Sequence, residues 1–243
     1  MGYPCCMIPF STFSFLKTPN KNEKLFYVLL RLTFKAMTYL SIISIIELID
    51  RKLLLLINGT HAPWADQLFW SVTQTYAWIP FYLMAIFLIW FCYRKKAWKV
   101  LLIIALAVAM ADIVSSGILK PLVQRPRPTH TPGLAEQLHL YLRPNGTYYK
   151  GGPYSFPSSH ATNSSTIAFL LFHFLRPFQR KQWPLALFLI FYVLIFCYTR
   201  PYFGVHYPTD ILTGWLLGIA LCLPIAALTK TNAKMELYIH KSC

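Results

Sequence analysis

Residues 77–119 read AWIPFYLMAIFLIWFCYRKKAWKVLLIIALAVAMADIVSSGIL, and this stretch decides the fold class. Two apolar runs, Ala77–Tyr93 and Trp98–Leu119, flank the basic cluster Arg94, Lys95 and Lys96. Each fits the roughly 17 to 25 mainly apolar residues that a helix needs to cross hydrocarbon. Working outward, Ser164–Leu175, Pro184–Tyr198 and Ile211–Leu228 repeat the pattern, the first of them only if its polar start, Ala161–Ser165, is already helical. The expectation is an all-α, polytopic transmembrane helical bundle of five or six spans with interfacial amphipathic helices.

Toward the N-terminus the signal weakens. Residues 40–57 are apolar but carry Glu47, Asp50, Arg51 and Lys52, each expensive in a bilayer centre, so an amphipathic interfacial helix is the better reading. A sixth span, Leu25–Ile46, requires Arg31 and Lys35 to snorkel. Met37 begins a segment that reads as the start of a membrane protein. This divides the chain into a poorly defined extension (1–36), a membrane domain (37–230) and a short cytoplasmic tail (231–243).

Composition agrees: 56% of the 243 residues are hydrophobic and 13% charged, too apolar for an ordinary soluble domain. The formal net charge of +15 raises the question of nucleic acid, but the basic residues lie in short clusters between apolar runs and no nucleic-acid motif is present. Topology, anionic headgroups and phosphate binding account for that charge. The six cysteines form no CxxC pair and read as small hydrophobes.

Lys and Arg accumulate on the cytoplasmic side of short loops. Arg94–Lys99, Arg176–Lys181 and the lysines after Leu228 fall on one side of a five-span arrangement. The loops Lys120–Ser159 and Arg200–Tyr207 then share the outer face. They nevertheless hold Lys120, Arg125, Arg127, Arg143, Lys150 and Arg200, so something other than topology holds those charges there. The longer loop contains Asn145-Gly146, a hairpin signal, among several tyrosines, and reads as an ordered cap.

Three short stretches at span boundaries carry the chemistry: Lys120-Pro-Leu-Val-Gln-Arg-Pro-Arg127-Pro128, Pro157-Ser-Ser-His160, and Thr199-Arg200-Pro-Tyr-Phe-Gly-Val-His206-Tyr-Pro-Thr-Asp210. A phosphoryl group in transfer spreads negative charge over three oxygens and needs fixed donors around them. Lys120, Arg127 and Arg200 can supply these. Ser158 is placed as the N-cap of a helix whose first N–H groups, from Ser159 and His160, form an anion site. Asp210, four residues after His206, can orient that imidazole for attack on phosphorus. Pro208 keeps Tyr207 out of the helix, so Asp210 reaches back from its first turn. His160 is then the acid for the leaving oxygen and the base for water.

The three stretches resemble the signature of the type 2 phosphatidic acid phosphatase superfamily, which includes vanadium haloperoxidases. That signature is Lys, six residues, Arg-Pro; Pro-Ser-Gly-His; and Ser-Arg, five residues, His, three residues, Asp. It is met at Lys120, Arg127, Pro128, Pro157, Ser158, His160, Arg200, His206 and Asp210. Ser159 replaces the family glycine and Thr199 the serine. The resemblance covers roughly residues 40–228 and implies His206 as nucleophile, His160 as acid and base, and Lys120, Arg127, Arg200 and Ser158 as phosphate ligands, with the Ser159 N–H beside them and neither cofactor nor metal.

Blander readings are weighed against these. An isolated His206–Asp210 pair is a satisfied core histidine by default; the companions at fixed spacing argue otherwise. Arg125 is evenly divided between a rim charge and a substrate contact. Asp112, a carboxylate inside an apolar run with no obvious partner, reads as structural. His61, His130, His139, His173 and His240 have no company that points to chemistry. The expected function is hydrolysis of a lipid phosphomonoester or pyrophosphate at the outer face of a bacterial inner membrane, the substrate being undecaprenyl pyrophosphate, lipid A phosphate, phosphatidylglycerophosphate or phosphatidic acid. The partner is thus a lipid phosphate and not nucleic acid. Transfer of the same phosphoryl group to another lipid is the alternative; vanadate haloperoxidase chemistry and a non-catalytic scaffold fit less well.

Overall fold

The computed structural model describes the backbone of residues 21–241 and the side chains of Arg31, Leu32, Lys35, Thr38 and residues 41–229. Residues 1–20 of the expected extension (1–36) and the side chains of the expected tail lie outside these described residues. The chain divides into two units, Met1–Leu48 and Ile49–Cys243. In the first, the described residues belong to helix α1 (Lys21–Asn58), which continues into the second. Its apolar side chains from Ile42 to Leu48 are exposed.

The second unit holds the remaining helices: α2 (Pro63–Thr73), α3 (Ile79–Tyr93), α4 (Ala97–Asp112), the single turn α5 (Lys120–Val123), α6 (Ser159–Leu175), α7 (Trp183–Tyr202) and α8 (Pro208–Lys241). A π-helical segment, Ile113–Leu119, joins α4 to α5. No strand occurs among the described residues, only two isolated bridges. Three runs there are long and apolar enough to cross a membrane: Thr75–Val123, Trp183–Tyr202 and Pro208–Thr229. The first contains both halves of the stretch quoted above. Its two halves separate at the basic cluster, where Arg94 has a φ of 49° and α3 ends. Beyond that turn, α3 and α4 pack on each other.

Helix α6 is the centre of the bundle, packing against α3, α4, α7 and α8. It begins at Ser159, so the polar stretch Ala161–Ser165 is helical. Its lower half joins Leu170, Leu171 and Phe174 to Ile89, Leu189 and Tyr192 in the main apolar core. Its upper half is small and polar, with Thr162, Ser165 and Thr166 buried. Small side chains let α8 approach at Gly214 and Gly218: a Cβ at Gly214 would stand 2.5 Å from the Ser158 carbonyl oxygen, and one at Gly218 would fall on Thr162 and Ser165. Two glycines one turn apart permit close backbone packing where the hydrophobic effect cannot drive association.

The segment between α5 and α6 is ordered. Tyr149 N–H donates to the Tyr141 carbonyl at 2.9 Å and Arg143 N–H to that of Thr147 at 2.9 Å, closing the Asn145-Gly146 hairpin. Tyr141 stacks on Trp70 of α2 with ring centroids 4.6 Å apart, and Phe203 closes the cluster from below. This packing fixes the cap over the C-terminal end of α7.

Candidate active site

The three stretches come together where α5, α6, α7 and α8 begin or end. Ser158 stands at the N-cap position of α6, and its N–H donates to the Asp210 carbonyl at 3.0 Å, tying that helix start to the start of α8. The Ser158 hydroxyl makes no cap bond and is buried without a partner. Buried polar atoms are rarely left unpaired, so one at this position calls for a partner such as a bound anion or water. Arg127 Nε is buried and unpartnered in the same region.

Arg127 is aimed by the loop around it. Its N–H donates to the Pro153 carbonyl at 3.2 Å, and Nη1 donates to the Val205 carbonyl at 3.0 Å. Gly151, at φ 71°, passes so close to the guanidinium that a Cβ would lie 2.8 Å from Nη1. Arg127 Nη1 also lies 3.1 Å from His206 Nε2. Arginine has only donors, so Nε2 is the accepting nitrogen and the ring proton is on Nδ1. Nδ1 faces Asp210 Oδ2 at 3.6 Å, longer than a hydrogen bond. Asp210 Oδ2 accepts instead from the Tyr207 N–H at 2.9 Å, the geometry of a carboxylate reaching back from the first turn of α8.

Arg200 lies in the last turn of α7 and is only 1% exposed. Its Nε and Nη2 both donate to Thr199 Oγ1 at 3.0 Å and its Nη1 to the Tyr149 hydroxyl at 3.3 Å. Lys120 Nζ donates to Ser159 Oγ at 2.8 Å. Burial, then Arg127, Lys120 and Arg200 push the His206 imidazole well below its usual pKa. His160, an exposed residue, has Arg200, His206, Lys120 and Arg127 as its ionisable neighbours. All eight residues singled out as candidates thus lie in one charge-coupled cluster, with His160 at its open side and His206 at its buried floor. No group of three or more His, Cys, Asp or Glu side chains gathers as metal ligands among the described residues.

The PAP2 superfamily model matches residues 96–234. A lipid A 4'-phosphatase of Bacteroides thetaiotaomicron is 35% identical over 175 residues, covering 70% of this chain and 72% of the relative. This chain belongs to the PAP2 superfamily. A second lipid A 4'-phosphatase, from Porphyromonas gingivalis, is 31% identical over 70% of this chain and 69% of its own length. In fold, the chain resembles the crystal structure of a transmembrane PAP2 type phosphatidylglycerolphosphate phosphatase from Bacillus subtilis, with a TM-score of 0.59, 21% identity, and coverage of 84% of this chain and 96% of that one.

Within this PAP2 chain both departures from the family signature have structural partners. Ser159 contributes a hydroxyl that receives Lys120 and lies 2.7 Å from Ser116 Oγ. Thr199 supplies the oxygen that orients Arg200, while its own hydroxyl donates to the Phe196 carbonyl at 2.9 Å.

Arg125 has two carboxylate partners that its expected readings did not include. Its Nη1 donates to Asp210 Oδ1 at 2.7 Å and its Nη2 to Asp50 Oδ2 at 2.8 Å, while the guanidinium carbon lies 4.0 Å from the Tyr207 ring centroid. Asp50, read as an interfacial charge, is 1% exposed and also receives the Thr209 N–H at 2.9 Å. Tyr149, one of the tyrosines of the cap, is an Arg200 partner. His61 and His139 stack at 3.9 Å, with His139 Nε2 2.9 Å from Asp66 Oδ2; the pair belongs to the joint between α2 and the cap.

Proposed function

We propose that this PAP2 chain is a membrane lipid phosphatase that hydrolyses a phosphomonoester of a lipid A-type glycolipid through a phosphohistidine on His206. The observation that carries the reading is the Arg127–His206 contact, 3.1 Å from Nη1 to Nε2. It requires a neutral imidazole with its lone pair on Nε2, the form a nucleophile needs. The substrate class is favoured by the two lipid A 4'-phosphatases, each resembling the chain over more than two thirds of their length.

In the proposed cycle the phosphate oxygens take up Lys120, Arg127, Arg200, the Ser158 hydroxyl and the N–H groups at the start of α6. Arg127 turns from Nε2 to the phosphate, freeing the lone pair. Nε2 attacks phosphorus as the bond to the lipid oxygen breaks, and that oxygen takes a proton from His160. The phosphate charge entering the cationic cup offsets the surrounding cations and so favours the protonated acid. Asp210 steadies the positive ring that results. Water then gives a proton to His160 and attacks phosphorus, the P–N bond breaks, and inorganic phosphate leaves. Three fixed cations supply the charge stabilisation that a metal ion provides in other phosphatases.

The same reading places residues 37–230 as the membrane domain, with α3, α4 with its π-helical extension, α6, α7 and α8 as five spans and α1 as a possible sixth. It puts the site on the outer face of a bacterial inner membrane. Purified protein in detergent, given lipid A 4'-phosphate and excess EDTA, is expected to release inorganic phosphate and to yield an acid-labile, base-stable phosphoprotein on rapid quenching. His206→Asn is expected to yield neither. A phosphate burst from that variant, or strict dependence on a divalent cation, would overturn the mechanism.

A further inference from the structure

The least expected charge in the fold is Asp112. It lies in the run Thr75–Val123, apolar enough to cross a membrane, and its side chain is exposed. A carboxylate so placed is expensive and calls for a use. The helix changes character at this point, as the π-helical segment Ile113–Leu119 begins at the next residue. Such irregularities recur at functional sites.

Asp112 heads a row of polar groups that descends from the phosphate cup along the seam between this segment and α6. Lys120 Nζ donates to Ser159 Oγ, which lies 2.7 Å from Ser116 Oγ. Ser116 Oγ donates to Asp112 Oδ1 at 3.4 Å, and Asn163 Nδ2 donates to the same oxygen at 3.1 Å. Both bonds fall on Oδ1. Oδ2 has no donor among the described residues, although an ionised carboxylate accepts on both oxygens. Asn163 Oδ1, beside it, is buried without a partner. Asp112 precedes Lys120 by about two helical turns, on the side of the apolar run and away from the cap.

We infer that Asp112, with Asn163 and Ser116, is a specificity site for an N–H or O–H donor on the hydrocarbon side of the substrate phosphate. The ligand chemistry is an amide or hydroxyl at the head of an acyl chain. Diacylglycerol phosphates and polyprenyl phosphates carry only acceptors, or nothing, at that depth. Amide-linked acyl chains on an amino sugar or a sphingoid base carry the donor. The inference rests on the reading of the chain as a lipid phosphatase, but not on lipid A itself being the substrate.

Ceramide 1-phosphate and phosphatidic acid of matched chain length separate the two cases, because the first has an amide N–H and a hydroxyl beside its phosphate and the second has esters. Wild-type protein in detergent is expected to favour ceramide 1-phosphate in kcat/KM by about 10-fold or more, the range of a hydrogen bond to a charged group. Asp112→Leu is expected to bring that ratio near unity, and Asp112→Asn, which keeps one acceptor, to retain most of it and to serve as the check on folding. A wild-type ratio near unity, an unchanged ratio in Asp112→Leu, or equal losses on both lipids in that variant would overturn the inference, whatever the activity toward lipid A. Activity toward lipid A 4'-phosphate is scored separately, so a chain that rejects it yet discriminates between the two probes refutes the glycolipid reading and leaves this site standing. A chain inactive on every lipid phosphate refutes both.

Discussion

Arg127 Nη1 lies 3.1 Å from His206 Nε2, so a cation is hydrogen-bonded to the nitrogen that the proposed reaction needs. The contact holds the ring neutral and in one tautomer, since a protonated Nε2 would face a donor with a donor. It also blocks that nitrogen until something more negative draws the guanidinium away. A phosphate does so by charge, and water does not. In the proposed reaction the contact therefore couples activation of the nucleophile to arrival of the phosphate.

The same electrostatics sets a pH dependence of stability. The folded-state pKa of His206 is lowered, so the stability it allows is fully present above its unfolded value, about 6.5, and is lost as pH falls below it. His206, fully enclosed, contributes up to about 1.4 kcal/mol per pH unit in that window, or a few degrees of Tm. The Tm in detergent is expected to fall between pH 7.5 and 5.5, and vanadate or inorganic phosphate to restore much of the loss. His206→Asn should flatten the slope. An equal acid loss in wild type and variant would show that other groups set it.

Arg125 joins two carboxylates that are almost fully buried, Asp210 at 0% and Asp50 at 1% side-chain exposure, while its own side chain is 21% exposed. Removing one partner of a buried ion pair leaves an uncompensated charge, at about 3 to 5 kcal/mol. Arg125→Leu is expected to lower Tm by many degrees and to cut kcat, because Asp210 also faces His206. The double variant Arg125→Leu/Asp50→Asn should recover part of the stability but little of the kcat. Recovery of both together would mean that Arg125 serves the fold alone. A Tm unchanged in Arg125→Leu would remove the network from the account.

The apolar runs within Thr75–Val123, Trp183–Tyr202 and Pro208–Thr229 were legible because membrane crossing is a constraint of length and polarity that local sequence carries. The candidate site was legible because its members sit at fixed spacing at span ends. What escaped were partnerships across the fold. Asp112 seemed alone because Asn163 lies 51 residues away on α6. Asp50 read as an interfacial charge because nothing local announces that α1 turns it toward Arg125. Tyr149 was one of several tyrosines in a loop, and only the cap packing on Trp70 and Phe203 puts its hydroxyl at Arg200.

The approach of α8 to α6 carries the whole site, since it brings Ser158 and His160 to His206 and Asp210. Gly218 lies where a Cβ would meet both the Thr162 carbonyl oxygen and Ser165 Oγ, and the backbone atom cannot yield without moving α6. Gly117 is the natural comparison, because a Cβ there meets only Ile113 of its own segment, at 4.0 Å. Gly117→Ala is expected to be neutral or to stabilise by up to about 1 kcal/mol through lost backbone freedom. Gly218→Ala is expected to lower Tm and, where the protein still folds, to reduce kcat/KM by about 100-fold, the scale set by an ångström of misplacement at a reacting centre. Paired thermal melts and phosphate-release assays on the two variants decide it. If Gly218→Ala behaves like Gly117→Ala, the contact between the two helices does not set the geometry of the site.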